Sequence, residues 1–183
     1  AILLTKYTNI KFVFIGDGVK KDELLRKTKN ITNIKILEMQ PLSKISYVYS
    51  FGDIQLVSCK RGVSNVGFPS KVWNILACKN FLISIYDEHS DLTSIIKDNE
   101  IGLSVPPEDV NKLLISILKV YTNQSFREDV CQKGYEFFLT KASKNISTNN
   151  YIKTLREVYD KYEKNNYNQY NSSHNSCDGA YFL

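Results

Sequence analysis

Methionine, histidine and cysteine are scarce in this chain, and what is missing already narrows the chemistry. Met39 is the only methionine, and His89 and His174 each stand alone. Cys59, Cys78, Cys131 and Cys177 lie far apart, with no C-x-x-C pair and no histidine at ligand spacing, so no metal site is expected. That spacing suits a reducing, cytoplasmic compartment better than a disulfide framework. No apolar run approaches the roughly 20 residues that span a bilayer, and no charged-then-apolar leader opens the chain. A G-x-S-x-G turn, a phosphate-loop lysine motif and a nucleophile–base pair at recognisable spacing are all missing. No internal repeat is visible either.

What is present is enough to fold. A hydrophobic share of 43% and an aromatic share of 12% give a chain of 183 residues a real core and exclude wholesale disorder. The formal charge of +5 comes from 24 basic and 19 acidic residues mixed along the chain. Such a mild excess suits a phosphate ester or a membrane surface and does not demand nucleic acid. The tyrosines fall mainly towards the helical C-terminal part, where packing explains them better than stacking on RNA bases. Ala1-Ile2-Leu3-Leu4 reads as the middle of a packed segment, so the chain is expected to be a piece of a longer protein.

Strand and helix patterns alternate. Lys11-Phe12-Val13-Phe14-Ile15 is a buried-strand pattern closed by Gly16-Asp17-Gly18. A charged helix follows over about 19–29, with Leu24 and Leu25 available to face a core. Residues 33–37 alternate as the next strand, and Pro41 opens a helix whose Leu42, Ile45, Val48 and Tyr49 share one face. Strands are expected again at 53–57, 81–85 and 101–105, with helices at 69–77, around 92–96 and after Pro106-Pro107. Strands joined by helical crossovers make a parallel sheet covered on both faces, a doubly wound α/β domain. Beyond Asn123 only helices are expected, over about 125–140 and 147–163. Their anchors are Phe126, Tyr135, Phe138, Tyr151, Leu155 and Tyr159. The domain is drawn over residues 1–164, and 165–183, rich in Asn, Tyr, Ser and Gln, are expected to form a flexible tail.

In an open α/β sheet, ligands bind beyond the carboxyl ends of the strands. Gly16 and Gly18 permit close backbone approach to a ligand, or simply make a tight turn. A dinucleotide fingerprint fails there, because Lys21 stands where its third glycine belongs. Glu38 does sit about 20 residues on, where an acid holds a ribose, so a nicotinamide-dependent oxidoreductase is an alternative. The densest signal is Lys60 to Lys71: two glycines and small polar residues run into a proline-led helix. The backbone amides of Ser70, Lys71 and Val72 after Pro69, with the cations Lys60, Arg61 and Lys71, suggest an anion site. Ser70 and Asn74, four residues apart, share a polar face. A capped amphipathic helix under a solvated basic loop would look the same. A third loop, residues 87–91, reads as a helix start capped by Ser90 or as a ligand loop, and His89 as a solvated side chain or an acid/base.

Together these segments resemble the C-terminal, donor-binding half of family 4 (group 1) glycosyltransferases, retaining enzymes of GT-B architecture. The resemblance runs from about Lys11 to Lys119. Phe12 to Gly18 is similar to the family's strand and glycine turn, and residues 33–42 to its next strand and proline-led helix. Tyr49 to Val57 resembles the stretch "y..aDv.lv", and Gly102 to Asp109 resembles "G-x-x-V-x-P-x-D". Pro69-Ser70-Lys71 resembles the "P-S-K" version seen in transferases of amino-deoxy sugars, the fucosamine type included. The two donor-binding glutamates of the better-known version fall on Val66 and Asn74, and the glycine and proline that follow are replaced by Lys79 and Phe81.

The resemblance implies a Rossmann-like sheet with extra C-terminal helices and a nucleotide-diphosphate sugar donor, a UDP-sugar by preference. Its base would lie near Leu37, Glu38 and Met39 and its diphosphate on Ser70, Lys71 and Val72, without a metal or other cofactor. It further implies a hexosyl or acetamidosugar transfer to a glycan or lipid-linked acceptor in surface polysaccharide synthesis. An N-terminal GT-B domain outside this chain would hold most acceptor contacts, with peripheral contact at the inner face of the membrane. The fragment alone is then expected to be inactive, its catalytic residues are not assigned, and a degenerate, non-catalytic interaction domain is a further alternative.

Overall fold

A computed structural model describes residues 1–64 and 67–174. The chain divides into two compact units after Phe138. In the first unit β1 (Phe12–Ile15), α1 (Lys21–Thr28), β2 (Ile34–Leu37), α2 (Ile45–Ser50), β3 (Ile54–Ser58), α3 (Lys71–Ala77), β4 (Phe81–Ile85), α4 (Asp91–Asn99) and β5 (Leu103–Val105) alternate. Then α5 (Val110–Thr122) and α6 (Gln124–Phe137) close it. Every strand pair is parallel. This is the α/β, Rossmann-like architecture expected from the alternation. The pairing falls into two groups, β1 with β2 and β3-β4-β5 in that order, and no ladder joins them among the described residues.

The core follows from the period of two along β4. Phe81 and Ile83 point into one layer with Val105 of β5, Ile117 and Val120 of α5, Val130 of α6, and Leu4 and Ile10 of the N-terminal segment. Leu82 points into the other, against Val57 of β3, Val72, Ile75 and Leu76 of α3, and Leu92 and Ile96 of α4. Each such side chain stabilises the fold by about 1.5–3 kcal/mol, so β4, buried on both faces, is the axis of the unit. Gly102 and Gly134 let neighbours close in. A Cβ on Gly102 would stand 2.5 Å from the Leu82 carbonyl oxygen, and one on Gly134 would stand 2.8 Å from Leu76 Cδ2.

Local signals set the ends of several helices. Ser90 caps α4, its Oγ accepting from the Thr93 amide (3.3 Å) and donating to Thr93 Oγ1 (3.0 Å). Asp109 and Asn123 cap α5 and α6 in the same way, through the amides of Lys112 and Phe126. Pro106-Pro107 precedes α5 by a turn rather than opening it, because Asp109 supplies the cap. Pro41 leads first into a tight 3-10 turn, Leu42–Lys44, before α2. Leu42 and Ile45 of that segment are exposed, which leaves Val48 and Tyr49 as the half-buried part of the expected apolar face. Likewise α1 buries no residue, and Leu25 is exposed.

The second unit holds a wide helical turn and then α7 (Lys144–His174). The sequence ends this helix at 163, yet it runs eleven residues further, since neither glycine nor proline interrupts residues 144–174. Residues 165–174 of the expected tail are therefore helical; 175–183, with Cys177, lie outside the described residues. Tyr151, Leu155 and Tyr159 do not act as buried anchors: all three are exposed, and among the described residues nothing in their own unit packs over them. No helix among the described residues is long and apolar enough to cross a membrane.

Candidate functional site

The carboxyl ends of β3, β4 and β5 release three loops that are bonded to one another. After β3, the Gly62 amide (2.9 Å) and the Ser64 hydroxyl (2.6 Å) both donate to Asp87 Oδ2, which sits just past β4. The Asp87 amide donates back to Ser64 Oγ at 3.0 Å. Arg61 reaches the loop after β5, donating to the Pro107 carbonyl (2.6 Å) and to Glu108 (3.1 Å). Gly62 and Glu108 take positive φ, +80° and +69°, so the backbone bends sharply at both contacts. The Ser64 hydroxyl, foremost, and the backbone amides of the loop hold the Asp87 carboxyl below the ordinary carboxylate range. Ser64 is buried, unusual for a loop serine, and Asp87 explains it.

This braced loop delivers the chain to α3. Pro69 is half-buried, Ser70, Lys71 and Asn74 are exposed, and Val72, Ile75 and Leu76 are buried, so the polar and apolar stripes fall as the i,i+4 spacing predicts. Ser70 does not cap the helix with its side chain. The amides of Ser70 and Lys71 make no hydrogen bond among the described residues. The Val72 amide, expected to be free, instead donates to the Pro69 carbonyl (3.1 Å). The first turn tightens to i→i+3 bonding and uses that donor, and the Val72 side chain is wholly buried in the core. Lys60 and Lys71 are exposed, with no ion pair among the described residues. Arg61 belongs to the brace. Val66 lies outside the described residues.

The other candidates cluster at the ends of β1 and β2. The Gly16 amide donates to the Leu37 carbonyl (3.2 Å), which ties the two turns together. Gly16 has φ +141°, open to glycine and strained for other residues, whereas Gly18 needs no such freedom. Glu38 and Met39 are exposed beside half-buried Leu37. Glu38 is engaged: Lys21 Nζ stands 2.5 Å from its Oε2 and 3.7 Å from Asp17. The Glu38 hydrogen bond is the main cause that raises the Lys21 pKa. The lysine that breaks the dinucleotide fingerprint therefore binds the acid that would complete it.

Sequence reasoning missed Asp87 and the Arg61–Glu108 contact. An acid directly after a buried strand is a weak signal, and the partners of both residues lie 23 to 47 positions away. Lys79, which replaces a glycine of the resembled pattern, keeps a glycine-like backbone with φ +54°. Its ammonium covers the Tyr135 ring at 4.6 Å. Phe68, Trp73 and Phe137 stack in near-parallel planes, with centroids 4.9 and 6.4 Å apart, and fasten the loop's end onto α3 and α6.

Residues 1–137 match the family model described as "Glycosyl transferases group 1". WbjE of Pseudomonas aeruginosa, which is named as a glycosyltransferase, is 26% identical over 111 residues, 60% of this chain and 28% of its own length. WcaI of Escherichia coli K12, whose name ties it to colanic acid biosynthesis, is 27% identical over 109 residues, 58% of this chain and 27% of its own. The chain thus spans about a quarter of these relatives. Among solved structures, the C-terminal domain of LpcC, a group 1 family protein of Francisella tularensis, superposes with a TM-score of 0.63 and 22% identity. That match covers 78% of this chain and 75% of the other. Anabaena HepE, solved with UDP-glucose, superposes with a TM-score of 0.70 and 11% identity, over 84% of this chain and 43% of its own.

Proposed function

Because this chain belongs to the glycosyl transferases group 1 family, we propose that it is the donor-binding domain of a retaining glycosyltransferase that takes a nucleotide-diphosphate sugar. The observation that carries this reading is the braced loop, which delivers Ser70, Lys71 and Asn74, exposed, to one helix start beyond the sheet. In this reading the diphosphate rests on the Ser70 and Lys71 amides, with Lys60 and Lys71 beside it. In this reading those donors and cations stabilise the charge that develops on the leaving group, which favours the transition state over the ground state. The base lies near Leu37, Glu38 and Met39, and the tied Gly16 and Gly18 turn lets the backbone come close.

The UDP-glucose bound to HepE supports UDP as the nucleotide. Pro69-Ser70-Lys71 supports the amino-deoxy-sugar subgroup, and the colanic acid biosynthesis in WcaI's name supports polysaccharide synthesis, with a glycan or lipid-linked acceptor. The acceptor falls to an N-terminal domain in a longer protein, which works in the cytoplasm, with peripheral membrane contact. The present chain is then inactive alone, and no catalytic residue is assigned to it. Ligand-detected NMR with UDP, uridine and NADH tests the reading. UDP should bind, uridine should bind more weakly and NADH should give no response; tight NADH binding with no response to UDP would overturn it.

A further inference from the structure

The net charge of the chain is concentrated at one end of it. Residues 1–50 hold nine basic and four acidic side chains, whereas residues 51–183 balance, fifteen against fifteen. The whole excess of +5 therefore sits on β1, α1, β2, α2 and the segment that enters β1. Three of the four acids are taken up locally: Lys21 holds Asp17 and Glu38, and Lys27 holds Glu23. Lys6 covers the Tyr7 ring at 5.3 Å. Lys11, Lys20, Arg26, Lys29, Lys35 and Lys44 are exposed and make no ion pair among the described residues. Like charges left together repel one another, and an anionic surface removes that repulsion.

Apolar side chains stand among these cations. Val19, next to Lys20, is fully exposed, and exposed Leu42 lies two residues before Lys44. Leu25, also exposed, shares a face of α1 with Lys29, four residues on, and α1 buries no residue at all. The turns that carry Val19 and Leu42 leave neighbouring strands, tied by the Gly16 amide on the Leu37 carbonyl, so both tips lie at the carboxyl rim of one ladder. A nucleic-acid backbone would use the cations but give these three side chains nothing to bury in. A lipid surface takes both, the cations among its headgroups and the apolar tips at the acyl boundary.

We propose that this basic half of the first unit is the face the protein lays on a membrane leaflet rich in anionic lipids. Arg26, Lys29 and Lys35 meet headgroup phosphates, while Val19, Leu25 and Leu42 enter the boundary with the acyl chains. The inference rests on the functional reading for the peripheral membrane contact alone, to which it gives a place; it requires nothing of the nucleotide. Lys60 and Lys71, the cations of the donor site, belong to the balanced part of the chain, so the two roles fall on different residues.

Vesicle sedimentation with the longer protein tests it, on phosphatidylcholine vesicles with and without phosphatidylglycerol. Anionic vesicles should bind the protein and release it as salt rises, and neutral vesicles should not bind it. The triple variant Arg26→Glu, Lys29→Glu, Lys35→Glu should bind anionic vesicles at least about 100-fold more weakly. Its urea midpoint should match the parent's, which separates a lost contact from a lost fold. Leu25→Ser with Leu42→Ser should weaken vesicle binding and leave retention on heparin unchanged. A parent that ignores anionic vesicles would overturn the proposal, and so would a triple variant that binds them as its parent does. Retention on heparin without vesicle binding would give the patch to a soluble polyanion and overturn it too. UDP titration of the same samples is a separate readout: a silent UDP response beside intact vesicle binding would sink the donor reading alone.

Discussion

Replacing Gly102 with alanine presses on the closest approach in the sheet. The new Cβ would stand 2.5 Å from the Leu82 carbonyl oxygen and 3.2 Å from Leu82 Cβ. The first atom is backbone in β4, buried on both sides, so it cannot swing away, and β5 must move outward instead. Overpacking of this kind costs about 1–3 kcal/mol. Because the glycine φ is not positive, alanine also restricts the unfolded chain, which returns about 0.4–1 kcal/mol. The net expected loss is about 1–2 kcal/mol, or a Tm lower by about 2–8 °C in a protein of this size. Gly134→Ala is the control. There the obstructing atom is Leu76 Cδ2, at 2.8 Å, the far end of a side chain. Alanine in a helix interior gains about 1 kcal/mol, so the net change should stay within about 1 kcal/mol of zero. Urea melts of the two variants and the parent, compared at constant m, give both numbers. A Gly102→Ala chain as stable as its parent would refute the close β4–β5 packing and the reason offered for the glycine.

Ser90→Ala removes a buried cap and the partner of the Thr93 hydroxyl, and should cost about 1–2 kcal/mol in the same melts; no loss would mean α4 starts elsewhere. The Asp87 carboxyl is held below its ordinary value of 3.8, so the brace is complete above that pH and is lost as pH falls through the lower folded value. The Gly62 amide resonance should therefore titrate below pH 3.8 and stop titrating in Asp87→Asn. Lys71→Ala should weaken UDP more than uridine; equal losses in calorimetry would put the phosphates elsewhere.

The alternation of strands and helices was open to sequence reasoning because it rests on local signals: apolar runs at 12–15, 34–37 and 81–85, the cap at Ser90, and glycine turns. The polar face of Ser70 and Asn74 was legible for the same reason, since i,i+4 spacing is local. What escaped is non-local. That Asp87 grips Gly62 and Ser64, that Arg61 serves Glu108 instead of a ligand, and that Lys21 occupies Glu38 depend on which loops the sheet order brings side by side. The Val72 amide was misjudged because a tight first turn and an open one have the same sequence. The length of α7 was misjudged because polar composition says little about where an uninterrupted helix stops.

We propose that this chain binds the donor nucleotide at the α3 end of the sheet. Calorimetry of the longer protein with UDP and with NADH tests it most directly. UDP binding should be saturable and should fall when Lys71 is replaced by alanine, and NADH should give no heat beyond dilution. Saturable NADH binding, with UDP silent, would contradict it.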